Sequence, residues 1–306
     1  MSAGWVAAAL RSRAMARDGV GAAGARILAA GSWADLMQGL TRSTYRAGLS
    51  PLTVRSDVRR HCSAAVVWNL RVLAGWVPPG SLELLRALVG EFEVENIDLH
   101  LRHLASGSAA QPLELGALAI AWPRVQSCST PEEIRATLHI SSWGDPGGAD
   151  PVTVAGGLRI SWARRLSRHV PGATPWALGA AALFVARELF VFDRELSSVT
   201  AQDVDRLLGR KWRAASTLSE FADAVGPDAR WVFVGVGQPS ELWQAERAWW
   251  TRVAAAAATM VDRPRPDAWV VVGAVATMLV DLHRVHAAVE TAGRGPTAIE
   301  VFDAVA

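Results

Sequence analysis

Apolar residues recur at intervals of three and four along most of the chain, which is the spacing of one face of an α-helix. The clearest case runs from Ser81 to about Ala105, with Ser81 at the N-cap position and Gly107 just past the end. Its core-type positions form two stripes on roughly opposite sides: Leu85, Leu88, Val89, Phe92, Asn96 and Leu99, then Val94, Ile97, Leu101 and Leu104. Two such stripes predict a helix packed between two neighbours in a multi-helix bundle.

The sector between the two stripes is polar and predicts one narrow edge exposed to solvent. It holds Glu91, Glu95, Asp98 and Arg102. Asp98 precedes Arg102 by four residues, the orientation that favours an ion pair on a helix surface.

A second long helix is predicted from Ala268 to about Glu290, and Gly293 is expected to stop it. Its apolar stripe is formed by Val275, Met278, Leu279, Leu282, Val285 and Val289, while the opposite, polar face is expected to hold Thr277, Asp281 and Arg284. The apolar run at its start, 268–280, is too short to span a bilayer. Two short runs, Thr153–Trp162 and Arg230–Gly237, mix Val and Ile with Gly and look β-like, but they do not predict a sheet.

Clusters of Pro and Gly interrupt the helical pattern near residues 76–80, 144–148, 171–175 and 262–267. They predict three helical stretches, at residues 1–75, 76–172 and 173–306. The fold class expected is therefore all-α, built from three related helical bundles.

A short motif recurs once in each stretch and supports this threefold organisation. Each copy has a Ser or Thr at a helix N-cap, acidic or polar residues in the next turn, and then apolar residues three or four apart. The predicted caps are Ser32, Thr130 and Thr217, and an aromatic residue follows each copy, at Tyr45, Trp143 and Trp231. Chance similarity among amphipathic helices is the alternative explanation.

Composition and charge narrow the class of protein. The apolar fraction, 51%, is enough for a substantial core, and two cysteines are too few for a disulfide framework, which indicates a reducing, cytoplasmic compartment. Residues 1–20 lack the continuous apolar segment of a secretory signal. Ten arginines against three acids make residues 1–75 strongly basic, whereas the rest of the chain is slightly acidic. This basic third is expected to face an acidic partner, and nucleic acid is not predicted because aromatic residues do not alternate with the arginines.

No sequence motif points to a reaction. The only lysine, Lys211, is not in a phosphate-binding loop, and the run that starts Gly235-Val236-Gly237 lacks the third glycine of a dinucleotide site. Two histidine pairs, His100 with His103 and His283 with His286, have a spacing that can present two ligands to one metal, but further ligands are not evident. No catalytic, cofactor-binding or metal-ligating residue is predicted. An enzyme with a site at His283, His286 and Glu290 is the remaining catalytic alternative.

Three segments carry a resemblance to a known family. Trp5 to Leu49, with Ile27-Leu28-Ala29-Ala30 and the later Thr44-Tyr45, resembles the opening of the C-subunit family of V/A-type (vacuolar/archaeal-type) rotary ATPases, whose members are also called d subunits. The segment 92–102, Phe-Glu-Val-Glu-Asn-Ile-Asp-Leu-His-Leu-Arg, resembles the helix of that family with an aromatic residue, an acid, Asn-Ile and Leu-Arg. The helix Val271 to Glu290 is similar to the last long helix of the family.

The resemblance implies a funnel-shaped helical protein of three related parts around a pseudo-threefold axis. It implies a non-catalytic role in a proton- or sodium-translocating complex, coupling the D and F subunits of the central stalk to the membrane proteolipid ring, and a cytoplasmic location, peripheral on the inner face of the cell membrane. The surfaces expected to contact these partners are the acidic edge, Glu91, Glu95, Asp98 and Arg102, and the basic cluster, Arg55, Arg59 and Arg60. A soluble helical adaptor or regulatory protein derived from the same scaffold is the alternative.

Overall fold

The computed structural model describes residues 3–50, 52–107 and 111–306, and these residues form helices, turns and loops without any β-strand. The prediction of an all-α fold is confirmed. In chain order the α-helices are α1 (Ala3–Arg17), α2 (Gly21–Ala30), α3 (Trp33–Thr41), α4 (Arg55–Ala74), α5 (Leu82–Ser106), α6 (Trp122–Val125), α7 (Pro131–His139), α8 (Pro151–His169), α9 (Thr174–Phe190), α10 (Ser198–Leu208), α11 (Leu218–Ala224), α12 (Pro227–Arg230), α13 (Leu242–Val261), α14 (Ala268–Thr291) and α15 (Pro296–Val305).

The two segments that look β-like in sequence are not strands. Residues 153–162 lie inside α8, where Asp150 caps the N-terminus by accepting a hydrogen bond from the Thr153 amide and Pro151 occupies the first turn. The N-cap and the proline both favour helix initiation, and together they outweigh the local β propensity of Val and Ile. Residues 230–237 form the end of α12, a single 3₁₀ turn over Trp231–Phe233, and a loop.

The chain divides into two compact units. Unit 1 combines residues 1–82 with 250–306, and unit 2 comprises residues 83–249. Unit 1 therefore contains the first copy of the recurring motif, and unit 2 contains the second and third copies. The division of the sequence into three related bundles, and their arrangement around an axis, stay predictions.

Helix α14 forms the centre of unit 1, where α1, α2 and α4 pack against it. Its predicted bounds are confirmed, with Ala292 at the C-cap and Gly293 in a left-handed conformation just beyond. Among the described residues α14 is the one helix long and apolar enough to cross a membrane, and 67% of its most apolar window is buried within the protein. A core helix has this same composition.

One prediction about α14 was wrong. Asp281 was expected on a polar, outward face with Thr277 and Arg284, but only 4% of Asp281 is exposed. Helices α1, α2 and α4 cover α14 on several sides, so this helix has no wide face exposed to solvent. The spacing of apolar residues alone therefore could not predict that Asp281 is buried.

Unit 2 is built on α5, α8 and α9. Helix α8 packs against α9 and α10, and α9 also contacts α11 and α12. The predicted helix at 81–105 is confirmed as α5, with the ion pair between Asp98 and Arg102 formed at 2.9 Å. The Pro- and Gly-rich turn at 144–148 lies directly on α8, since a Cβ atom at Gly157 would lie 2.5 Å from the carbonyl oxygen of Pro146.

The three predicted N-caps are confirmed. The Ser32, Thr130 and Thr217 side chains each accept a hydrogen bond, at 3.2 Å, from the amide three residues later, at Asp35, Glu133 and Glu220. Each of these acids in turn accepts a backbone N–H from the start of the motif: Asp35 from Ser32, Glu133 from Ser129 and Glu220 from Ser216. The first copy is therefore a capping box, in which Asp35 bonds the cap residue itself, whereas in the second and third copies the acid bonds the residue just before the cap.

The first two copies also share the structure that follows the short helix. Ser43 donates to the Leu40 carbonyl and accepts from the Tyr45 amide, and Ser141 makes the equivalent bonds with Leu138 and Trp143. These turns direct both aromatic side chains inward, where each is 1% exposed.

Candidate interaction surfaces

A buried carboxylate in unit 2 joins the long helix α5 to the segment before α7. Glu93, 1% exposed, accepts backbone N–H groups of Ile120, Ala121 and Trp122 at 2.8, 2.6 and 2.6 Å. Burial raises the pKa of Glu93, and the three N–H groups oppose that rise because they stabilise the ionised form. Asn96, one turn further along, pairs with the Leu113 backbone through both its amide oxygen and its amide nitrogen.

Unit 1 has an equivalent carboxylate on its own long helix, α14. Asp281 accepts backbone N–H groups of Val20 and Gly21, at 3.0 and 2.6 Å, and the Tyr45 hydroxyl at 2.8 Å. Burial and the Asp281 charge together raise the pKa of the Tyr45 phenol far above its usual range and that of the Cys62 thiol to about 12. Both shifts favour the neutral form of these buried side chains, and a buried neutral thiol is the form that packs rather than reacts.

The first two copies of the motif are therefore the same assembly: a long helix, a buried acid, the start of a short helix segment, and an inward aromatic residue. In the third copy α9 approaches its aromatic neighbours at Gly179, where a Cβ atom would lie 3.0 Å from Trp231 and 3.1 Å from Trp249. Gly90 of α5 makes the same approach to Trp143 and Trp162, at 3.1 and 2.9 Å. The close approach of a helix glycine to tryptophan therefore recurs in the third copy. The buried acid does not recur, because the position three residues after Gly179 is Ala182, whereas the position three residues after Gly90 is Glu93.

The sequence analysis did not predict burial of either acid, although both left a signal in the sequence. Glu93 stands between Phe92 and Val94, in a helix with two apolar stripes, and Asp281 directly follows a thirteen-residue apolar run. An acid surrounded by core positions needs a partner that satisfies its charge. That partner is backbone, which the sequence does not reveal.

The predicted basic cluster at the start of α4 is partly used inside unit 1. Arg55 donates to the carbonyls of Val289 and Ala292, at the C-terminal end of α14, and its guanidinium lies 4.3 Å from the centre of the Trp33 ring. A cation at this end of a helix is favourable because the last carbonyls carry partial negative charge. Arg59 forms an exposed ion pair with Glu290 at 3.4 Å, and Arg60 is half-buried. Arg59 is the most exposed of the three arginines.

The predicted acidic edge of α5 lies along the outside of that helix. Glu91 and Arg102 are exposed, and Glu95 and Asp98 are half-buried. Whether this edge binds a partner stays a prediction, as it does for the basic cluster.

The histidines of α14 make structural contacts. The ring of His286 is 3.0 Å from the Arg59 carbonyl, and the ring of His283 is 3.0 Å from the Val305 carbonyl and stacks on Trp250. Burial, assisted by the Arg59 charge, lowers the pKa of His286 to about 4. In the part of the chain that the structure describes, no group of three or more His, Cys, Asp or Glu side chains is placed to hold a metal ion.

A cleft of about 580 Å³ opens on unit 1 within the basic first third of the chain. Its lining comes from the end of α1, from the loop after α3, and from α4: Asp18, Arg42, Ser43, Thr44, Arg46, Ala47, Ala65, Trp68 and Asn69. Arg42 and Arg46 are exposed, and Trp68 has 58% of its surface exposed. Sequence reasoning predicted the basic character of this region but not the cleft, because Trp68 lies on a helix whose other apolar residues are mostly buried.

Neither a protein-family model nor a curated protein sequence matches this chain.

Proposed function

We propose that this chain is a non-catalytic central-stalk component of a V/A-type rotary ATPase, coupling the D and F subunits of the stalk to the membrane proteolipid ring. The observation that carries the proposal is where the segments of family resemblance fall in the fold. Tyr45, Glu93, Asn96 and Asp281 lie in the three segments that resemble the C-subunit family. Glu93 and Asp281 each join a long helix to the start of a shorter one. Asn96 bonds the Leu113 backbone beside the first contact, and Tyr45 bonds Asp281 in the second.

These contacts suit a mechanical role. A protein that passes rotation between two partners must resist sliding of its helices, and the hydrogen bonds that carboxylates accept from backbone N–H groups are stronger and more directional than apolar contacts. Each long helix with a buried acid is bound in this way at a fixed point along its length. The repetition of the arrangement supports a scaffold of related parts, as the resemblance implies.

The proposal is tested by assembly from purified parts. The full chain, carrying an affinity tag, is mixed with the D–F pair of the same organism and, separately, with the proteolipid ring in nanodiscs. We expect it to co-elute with both and to join them into one complex, and a tag-only protein is the control for capture by the tag.

Recovery of neither partner would contradict the coupling function. A stable monomer that ignores the ring and the stalk would instead favour the adaptor derived from the same scaffold. ATP hydrolysis by the chain alone would contradict the non-catalytic assignment.

A further inference from the structure

The cleft on unit 1 is a place where positive charge is exposed and unmatched. Arg13 and Arg55 bind helix C-terminal carbonyls, and Arg26 and Arg59 pair with acids. In contrast, Arg42 and Arg46 form no ion pair with any residue that the structure describes, although Asp18 lines the same cleft. Two exposed cations with one acid leave the cleft with net positive charge.

The two arginines are specific to the first copy of the motif. When Ser43 is aligned with Ser141 and Tyr45 with Trp143, the positions of Arg42 and Arg46 hold Ile140 and Gly144 in the second copy. The repeated turn therefore does not need a cation at either position, and the first-copy loop keeps its two arginines available for an outside group.

The loop that presents the arginines is held in place before any partner arrives. Tyr45, between Thr44 and Arg46, is buried with its hydroxyl on Asp281, and Ser43 fixes the turn just before it. On the facing helix the amide nitrogen of Asn69 lies 3.5 Å from the Thr44 hydroxyl of this loop. A preformed site loses less conformational entropy on binding than a mobile one.

Trp68 adds an apolar contact beside the charges. Tryptophan and arginine are the residues most enriched among those that dominate binding energy at protein interfaces. A concave site suits a projecting segment of a protein better than the flat surface of a bilayer.

We propose that this cleft binds an acidic segment of a protein partner, whose carboxylates pair with Arg42 and Arg46 and whose apolar side chain packs on Trp68. Resting on the proposed function, the partner is the D–F stalk pair or the proteolipid ring. On this proposal the acidic partner binds the basic third of the chain at the cleft and not at the basic cluster of Arg55, Arg59 and Arg60.

The test compares three variants of the full chain for binding to D–F and to ring nanodiscs, by biolayer interferometry at two salt concentrations. R42E with R46E reverses the cleft charge, W68A removes the apolar contact, and R11E with R265E makes the same charge change at exposed positions outside the cleft. We expect R42E with R46E to weaken binding to one partner at least about tenfold, more at low salt, because salt screens the lost ion pairs. W68A is expected to weaken the same binding about tenfold at both salt concentrations, and the control is expected to stay within about twofold.

A photocrosslinking residue at position 68 identifies what occupies the cleft, with the same residue at Leu52, 90% exposed, as the control. The adduct at 68 is expected on an Asp- or Glu-rich segment of the partner. Unchanged binding by both cleft variants would overturn the cleft inference while leaving the coupling function intact. Loss of binding only to vesicles of neutral and anionic phospholipid would overturn it in favour of a membrane contact, and a wild-type chain that binds neither partner would overturn both proposals.

Discussion

At the scale of single residues, neither buried acid, Glu93 or Asp281, forms an ion pair with an Arg, Lys or His side chain among the residues that the structure describes. Glu93 relies on three backbone N–H groups, and Asp281 on two N–H groups and a phenol. Backbone donors at the start of a helical segment carry partial positive charge, so they stabilise a carboxylate without the desolvation of a second ion.

Replacing Glu93 by Ala is expected to lower the free energy of unfolding by about 3 kcal/mol, because it leaves three buried N–H groups without an acceptor. Urea unfolding followed by circular dichroism measures the change. Glu300→Ala, at an exposed position of α15, is the matched control and should cost less than about 0.5 kcal/mol. Equal effects of the two substitutions would show that the Glu93 contacts do not stabilise the fold.

The lowered pKa of His286 gives a pH dependence with a definite sign. Native His286 stays neutral down to about pH 4, whereas in the unfolded chain it takes up a proton below about 6.5. Its contribution to stability is therefore complete above about pH 6.5 and is lost as the pH falls towards 4, with a slope of at most about 1.4 kcal/mol per pH unit for one proton.

His286→Gln, which keeps a donor for the Arg59 carbonyl but does not titrate, should flatten the fall of stability between pH 7 and 5. The urea midpoint at each pH checks this. Identical pH profiles for the wild type and His286→Gln would contradict the assignment.

At the scale of elements, the short helices need their caps. Helices α3, α7 and α11 have nine, nine and seven residues, lengths at which an isolated helix is marginal in water. Reciprocal capping satisfies N–H groups that a short helix cannot satisfy itself, and a Ser or Thr cap contributes about 1 kcal/mol. Buried apolar residues behind each cap, at Leu36, Ile134 and Phe221, then fix the helix against its neighbours.

The packing of α13 against α14 in unit 1 depends on a glycine. A Cβ atom at Gly273 would lie 2.6 Å from the Met260 Cβ and 2.7 Å from the Ala257 carbonyl oxygen. Gly273→Ala should therefore separate these helices and lower the free energy of unfolding by about 2 kcal/mol, despite the better helix propensity of Ala.

Thermal and urea unfolding of Gly273→Ala measure that loss. Gly237→Ala, where the nearest heavy atom to a new Cβ is 4.0 Å away, is the control and should be nearly neutral. A stabilised Gly273→Ala variant would show that the two helices do not approach as closely as described.

At the scale of the whole molecule, the basic N-terminal third folds together with the C-terminal helices. Unit 1 is discontinuous in sequence, and α14, which follows all of unit 2 in the chain, supplies its centre. Several arginines of the first third interact with the C-terminal segment. Some donate hydrogen bonds to its backbone carbonyls, and Arg26 and Arg59 form ion pairs with Asp303 and Glu290. The net charge of a sequence segment therefore overstates the charge that unit 1 presents to a partner.

The sequence by itself determined the features that depend on local spacing. Helix periodicity placed α5 and α14, and the Ser or Thr followed three residues later by an acid located all three caps. These features are set by contacts within a few residues, so the order of residue types is sufficient to predict them.

Only the tertiary structure decided the contacts between residues far apart in the chain. It buried Asp281 against Val20 and Tyr45, more than two hundred residues away in sequence, and it left Arg42 and Arg46 exposed while using Arg55 internally. The physical reason is that the sequence around an acid or an arginine looks the same whether its helix face is exposed to solvent or covered by another helix. Its role depends on which distant backbone groups the fold brings within hydrogen-bond distance.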